Sequence, residues 1–303
     1  IYRPRYTIEE LRAEPRFSYL GGVLVQSFAD DDEGVRLHFV ARDGTTQTLV
    51  ARRVVLAAGA LNSARIALHS RGLVGVRQPL LCNEMLFAVG LNRAMLGRPA
   101  RDRRHSLGQL LGLYSPPYRD GEHTAVALYS YRSLLNVRLA MEFPTPAWLG
   151  VLAARLMTTA LTIAGIHFPD RRSETKWIAL ASDGNALEAA YELAEDERHA
   201  NARDVAGIVG VLHDIGVTTL RRSPTPHGAS IHYAGTLPMR APGETAPLQT
   251  DGDGRLIGSE RVFVADSATW RHLPAKSLTL TIMANARRVA RCALNDLRGV
   301  AAR

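Results

Sequence analysis

The chain has 303 residues, 46% of them apolar and 22% charged, which is ordinary for a soluble globular protein with room for one large core or two smaller ones. Its formal net charge is +8, and lysine occurs only at Lys176 and Lys276. The many arginines are scattered and no aromatic-interleaved basic groove accompanies them. This pattern disfavours a nucleic-acid partner, although steeply salt-dependent binding to nucleic acid stays the weakest of three hypotheses.

The two cysteines and the first residues of the chain indicate in which cellular compartment the protein is expected. Cys82 and Cys292 are far apart and have neither disulfide-framework nor metal-ligand spacing, which argues against a disulfide-stapled secreted scaffold. The opening Ile-Tyr-Arg-Pro-Arg is not a signal peptide, so we expect a cytoplasmic protein. Because the first residue is not Met, we also expect the sequence to begin partway through a longer protein.

The first quarter of the chain predicts a β-meander followed by a strand–turn–helix unit. Residues 17–28, 35–41 and 45–50 are strand-like and are separated by an acidic turn and by a tight Asp-Gly turn. Residues 53–58 form a continuous apolar run that predicts a strand buried on both faces. Gly59 then allows a close backbone approach, and Ser63 is expected to begin a helix that ends near Gly72.

The middle of the chain predicts an antiparallel sheet with helices. Residues 124–131 and 134–141 alternate with a period of two, and residues 176–181 predict another strand. The apolar stretch 148–163 is interpreted as a buried or pocket-lining helix, with shallow membrane contact as a minority alternative and no stable membrane insertion expected. Residues 196–212 are amphipathic and helical, and residues 221–229 are expected to form a loop.

The C-terminal quarter carries the pattern with the most chemistry. His232 stands beside Gly235 and Thr236, and a β-type run at residues 261–265 ends at Asp266. A polar loop follows, and a helix with one apolar face is expected to start at about Ser277. A strand, an acid, a loop and a helix N-terminus together direct backbone N–H groups toward an anionic or electron-rich ligand. The Asp-Gly pairs of residues 250–257 have too few spaced ligands for an EF-hand loop and indicate turns.

Two of these segments resemble a known family. RRVVLAAGALNSARIAL at residues 52–68 and HYAGT at 232–236, with the segment 250–290 behind it, are similar to glucose–methanol–choline flavoprotein oxidoreductases. The resemblance covers about the first 75 and the last 75 residues. It implies an α/β plus α+β fold, with a partial, Rossmann-like FAD-binding domain and a substrate domain built on an antiparallel sheet packed with helices. The implied division is FAD-binding at 1–74, substrate-binding at 75–229, and FAD-binding with the catalytic histidine at 230–303.

The resemblance also implies a reaction and its residues. The family oxidises CH–OH groups, with a histidine removing the hydroxyl proton while hydride passes to flavin N5, so the expected cofactor is FAD. The expected partners are a small alcohol, sugar-like or of secondary metabolism, and an electron acceptor that is oxygen or a redox partner. His232 matches the catalytic histidine. The positions that match the FAD-binding residues are Val25, Gly59, Ala60, Asp266, Leu278 and Thr279.

Two departures from the family pattern leave alternatives open. Ser277 stands where the family has an asparagine or histidine that binds the substrate oxygen, and it is also a natural helix N-cap. His272 or Lys276 is a candidate for the missing group, and we expect His232 to act with Ser277 and an assisting His272. The family's GxGxxG turn is absent, so a missing N-terminal segment or a partner chain is expected, and this chain alone should bind flavin poorly. The alternative function is a non-catalytic relative that serves as a scaffold or partner-binding protein.

Overall fold

The computed structural model describes residues 3–98, 108–129, 146, 148–149, 159–243 and 245–301, with side chains described through residue 297. In these residues the helices are, in chain order, α1 (Pro4–Leu11), α2 (Ala60–Ser70), α3 (Glu195–Asp214) and α4 (Thr279–Ala301). Within the described ranges, no helix has the length and apolar character needed to cross a membrane.

The predicted β-meander is confirmed. Its strands are β1 (Leu24–Asp30), β2 (Val35–Val40) and β3 (Thr46–Ala51), paired antiparallel in that order. The first strand begins at Leu24 rather than at residue 17, because Gly22 adopts φ 76° just before it and breaks the extended backbone. Phe28 and Val35 are buried in the core cluster that also contains apolar residues of α2.

A parallel strand pair joins the two ends of the chain. β4 (Val54–Leu56) pairs with β15 (Val262–Val264), and α2 follows β4 while α4 packs on β15. The prediction that the β4 segment is buried on both faces is wrong for Val55, which is 42% exposed because alternate side chains of a strand point to opposite faces. The helix begins at Ala60 with Gly59 at the N-cap, and not at Ser63, because Ser63 turns inward to a buried carboxylate.

The described residues of the middle of the chain form an antiparallel sheet of five strands. Its order is β13-β7-β10-β9-β8, and the strands are β7 (Met85–Asn92), β8 (Leu110–Tyr114), β9 (Thr124–Tyr129), β10 (Leu161–His167) and β13 (Val217–Pro224). The helix predicted over 148–163 is wrong at its C-terminal end, since Leu161 begins β10. Because β10 lies at the centre of the sheet and is buried on both faces, it lacks the period-two pattern that would distinguish it from a helix.

Two further corrections follow from the same sheet. The loop predicted over 221–229 is wrong in its first part, because the polar segment up to Pro224 forms the edge strand β13, where one side of the strand faces solvent. The strand predicted at 134–141 lies outside the described residues. The amphipathic helix predicted at 196–212 is confirmed as α3, whose Val205, Ile208 and Leu212 pack on the sheet.

Short strands connect this sheet to the parallel pair. β11 (Lys176–Leu180) pairs with β12 (Leu187–Tyr191) and with β5 (Gln78–Pro79), and β6 (Leu81–Cys82) pairs with β14 (Tyr233–Ala234). The predicted strand at 176–181 is thus confirmed. Together, a parallel pair flanked by helices and an antiparallel sheet packed by α3 confirm the predicted fold class of α/β plus α+β.

Candidate active site

A buried carboxylate joins the turn after β4 to the end of β15. Asp266 Oδ2 accepts hydrogen bonds from Gly59 N at 2.9 Å and from Ser63 Oγ at 2.5 Å, and Asp266 Oδ1 accepts one from Ala268 N at 2.9 Å. Burial raises the pKa of Asp266, and these three donors act in the opposite direction by stabilising the carboxylate. Asp266 therefore caps the short turn that follows it, since Ala268 lies in that turn.

The turn above this carboxylate is open to solvent. Gly59 is exposed and has φ 81° and ψ 156°, a backbone conformation that residues other than glycine rarely adopt. A Cβ added to Gly59 would meet no atom of the described residues within 4 Å, so these residues leave space for a ligand beside this backbone. Ala60 starts α2, whose first-turn N–H groups have no acceptor within the helix. The turn therefore has the close-approach geometry that a phosphate-bearing cofactor needs.

The other predicted cofactor residues take different positions. Val25 is partly buried in β1, and its carbonyl accepts a hydrogen bond from Arg65 Nη2 at 2.6 Å. Leu278 is buried against Leu81, whereas Thr279 is exposed at the first position of α4. The helix thus begins two residues after Ser277, which is itself exposed.

His232 is half-buried between segments that are distant in sequence. Its Nδ1 lies 3.1 Å from Oδ1 of Asn83, and its backbone N–H donates to Ser230 Oγ at 3.4 Å. Burial lowers the pKa of His232. The residue before it, Ile231, is 78% exposed and has φ 59°, an unfavourable conformation for a β-branched side chain. Such a strained residue is retained where the surrounding structure fixes the backbone, often at functional sites.

A second imidazole lies against His232. The rings of His167 and His232 are stacked, with centroids 5.8 Å apart and an interplanar angle of 30°. Nδ1 of His167 is buried and has no hydrogen-bond partner within the part of the chain that the structure describes. Burial, together with the charge of His232, lowers the pKa of His167 to about 4, so that this ring is neutral at ordinary pH.

The sequence reasoning missed both His167 and Asn83. A histidine that ends an otherwise apolar strand was the available signal for His167. Nothing local marks Asn83, because it meets His232 only through the pairing of β6 with β14, 149 residues away along the chain.

His272 and Lys276 are not brought to His232 in the same way. Nδ1 of His272 lies 3.5 Å from Oε1 of Glu122, and both residues line an open cavity of about 950 Å³ whose lining does not include His232. Lys276 is exposed. Among the described residues, no group of three or more His, Cys, Asp or Glu side chains is arranged to hold a metal ion.

The chain is similar to known proteins in structure and not in sequence. No protein-family model matches the chain, and no curated protein matches it significantly. Pyridoxine 4-oxidase from Mesorbium loti superposes with a TM-score of 0.62 at 17% identity, over 95% of this chain and 60% of its own. A variant of formate oxidase from Aspergillus oryzae gives 0.67 at 14% identity, over 95% and 63%, and an FAD-dependent oxidoreductase from Chaetomium thermophilum gives 0.59 at 16% identity, over 96% and 64%.

These similarities establish the fold. The chain shares the fold of flavoprotein oxidoreductases of the glucose–methanol–choline type, which confirms at the level of structure the resemblance found in its sequence. The chain spans less than two thirds of the length of each of these solved proteins.

Proposed function

We propose that this chain is part of an FAD-dependent oxidoreductase that oxidises the CH–OH group of an alcohol, with His232 as the base that removes the hydroxyl proton. One observation carries the proposal. His232 is a half-buried imidazole with a lowered pKa, in a chain that has the fold of FAD-dependent oxidoreductases. Because its pKa is lowered, His232 is neutral at physiological pH and free to accept a proton.

The residues present fit the cofactor. Gly59 and Ala60 would lie along FAD, since the open space beside Gly59 admits a close approach to the backbone. Asp266 would sit near the ribityl-pyrophosphate part and Val25 near the adenine. The N-terminus of α4, at Leu278 and Thr279, would favour negative charge on the flavin ring. FAD, when bound, supplies the acceptor for the hydride that leaves the alcohol carbon.

The remaining site residues act on the substrate oxygen. Ser277 is exposed just before α4, and its hydroxyl can both donate and accept a hydrogen bond there. His272 is the candidate assisting group. We assign residues 1–74 and 230–303 to cofactor binding and 75–229 to substrate binding, with a sugar-like or secondary-metabolite alcohol as substrate. Oxygen or a redox partner would reoxidise the flavin, and residues outside this chain would supply the rest of the cofactor contacts.

The test is spectroscopic. The protein is purified from its complete reading frame, and its visible spectrum is recorded before and after an anaerobic panel of alcohols. We expect flavin bands that bleach with at least one alcohol, and a loss of roughly 10²-fold or more in the bleaching rate in His232→Gln, the range of general-base catalysis. His213→Gln is the matched control because His213 is a largely exposed histidine on α3. Absent flavin bands, or unimpaired bleaching in His232→Gln, would refute the proposal.

The exposed serine at position 277 favours a second candidate function. A non-catalytic relative that kept the fold as a scaffold or partner-binding protein would not need an asparagine or histidine there. The same experiment separates the two functions. Flavin bands without bleaching by any alcohol would favour the scaffold, and rapid bleaching would exclude it.

A further inference from the structure

Asn83 is a buried amide that faces His232. It lies between β6 and β7 and is only 2% exposed. Its Nδ2 donates to the carbonyl oxygen of Phe168 at 2.7 Å and lies 3.4 Å from that of Pro274, while its Oδ1 lies 3.1 Å from Nδ1 of His232. The side chain therefore touches three separate segments and has a partner on both sides of its amide.

These contacts fix which way the amide points. If the amide were reversed, its oxygen would face the two carbonyl oxygens. Carbonyl oxygens only accept, so the buried amide oxygen would have no donor on that side, and the carbonyl of Phe168 would lose the N–H that it now accepts. The oxygen must therefore face His232. Because an amide oxygen can only accept, the proton between the two groups belongs to Nδ1 of His232, and the neutral ring has its lone pair on Nε2.

We propose that Asn83 is a positioning residue that holds His232 as the Nδ1–H tautomer and so leaves Nε2 as the proton acceptor. The role of Nε2 rests on the proposed function, whereas the tautomer does not. When Nε2 takes the hydroxyl proton, Nδ1–H continues to donate to Asn83, so the same hydrogen bond supports the ring before and after the transfer. An amide does not take the proton onward, so the proton stays on His232.

The chain just before Asn83 is held by a buried ion pair. Cys82 N donates to Asp170 Oδ2 at 2.7 Å, and Asp170 Oδ1 accepts from Lys176 Nζ at 2.6 Å. Lys176 and Asp170 are both almost fully buried. The hydroxyl of Tyr191 donates to the carbonyl of Cys82 at 2.6 Å. Asn83 is thus presented to His232 from a rigid segment, as a positioning residue must be.

The test is ¹⁵N NMR of protein labelled at histidine. His232→Gln identifies the His232 signals among the ten histidines of the sequence. In the wild type we expect a protonated Nδ1 and an unprotonated Nε2 at neutral pH. A wild-type His232 protonated at Nε2 would overturn the proposal whether or not flavin is bound.

Two variants separate positioning from simple structural support. Asn83→Leu and Asn83→Asp both lose the two contacts to carbonyl oxygens, but only Asn83→Asp keeps an acceptor for Nδ1–H. We expect the tautomer to be retained in Asn83→Asp and mixed in Asn83→Leu. We also expect Asn83→Leu to lower kcat roughly tenfold or more relative to Asn83→Asp with similar KM, because misplacing the lone pair removes much of general-base catalysis. Equal tautomers and equal kcat in the two variants would overturn the proposal. Full bleaching in His232→Gln would instead overturn the proposed function alone.

Discussion

Lowering the pH should destabilise this protein through His167. The ring is partly buried at the end of β10, its Nδ1 has no hydrogen-bond partner among the described residues, and it stacks on His232. Burial and the charge of His232 lower the pKa of His167 to about 4, whereas the same residue in the unfolded chain has its ordinary value of about 6.5. Between these two values the unfolded chain binds a proton that the folded protein does not. The free energy of unfolding therefore falls as the pH drops through 6.5 and levels off below about 4.

The size of the effect follows from the gap between the two pKa values. A gap of about 2.5 pH units corresponds to about 3 kcal/mol at most, of which about 2 kcal/mol is lost between pH 7 and pH 5. Domains are typically stable by about 5–15 kcal/mol, so this single ring would account for a large share of acid sensitivity.

Urea unfolding at pH 7 and pH 5 measures this loss. His167→Phe keeps an aromatic ring in the site but cannot bind a proton, so its free energy of unfolding should fall by about 2 kcal/mol less than that of the wild type over this range. His213→Gln, which changes a largely exposed histidine of α3, should behave like the wild type. An equal loss in His167→Phe and in the wild type between the two pH values would show that His167 is not the group responsible.

Three further outcomes test other parts of the structure. Gly59→Ala and Gly258→Ala each place a side chain at φ 81° with no atom of the described residues within 4 Å, so both should lower the free energy of unfolding in urea by about 1–2 kcal/mol. Only Gly59→Ala should also weaken flavin binding in a fluorescence titration. Lys176→Met leaves two carboxylates without their buried cation and should lower the free energy of unfolding by about 3–5 kcal/mol; an unchanged urea midpoint would contradict this. Because burial lowers the pKa of His232, kcat/KM should decline as His232 becomes protonated, with an inflection below 6.5, and an inflection above that value would contradict a buried neutral base.

The elements that the sequence predicted well are those whose signal is local. The meander was predictable because apolar and polar residues alternate in its second strand and because its turns contain Asp and Gly. The helix α3 was predictable because one of its faces is apolar. β10 was not, since a strand covered on both faces has the same continuous apolar sequence as a buried helix. The exposure of Val55 also depends on which strands flank β4, and no local pattern encodes that.

The residues of the candidate site likewise fall into two groups, those that a local motif marks and those that only the fold brings together. His232 and Asp266 were proposed as site residues from the motifs around them, and that proposal stays a prediction. Asn83 and His167 were not, because their relation to His232 exists only after three distant segments have met. Interactions between segments that are far apart along the chain are the part of a site that one sequence, read locally, leaves open.

The distribution of energetic cost favours catalysis over a scaffold role. The buried carboxylate of Asp266 accepts three hydrogen bonds, so its burial is compensated. Around His232 the structure holds a β-branched residue, Ile231, at φ 59° and a buried ring nitrogen of His167 that has no partner among the described residues. Each feature costs on the order of 1–3 kcal/mol. A scaffold could lose all of them by substitutions that stabilise the fold, whereas a base that must stay neutral, fixed and partly dry requires such surroundings. If Ile231→Gly stabilises the protein and slows alcohol-dependent bleaching, the strain serves the histidine; if it stabilises the protein and leaves bleaching unchanged, the strain has no part in catalysis.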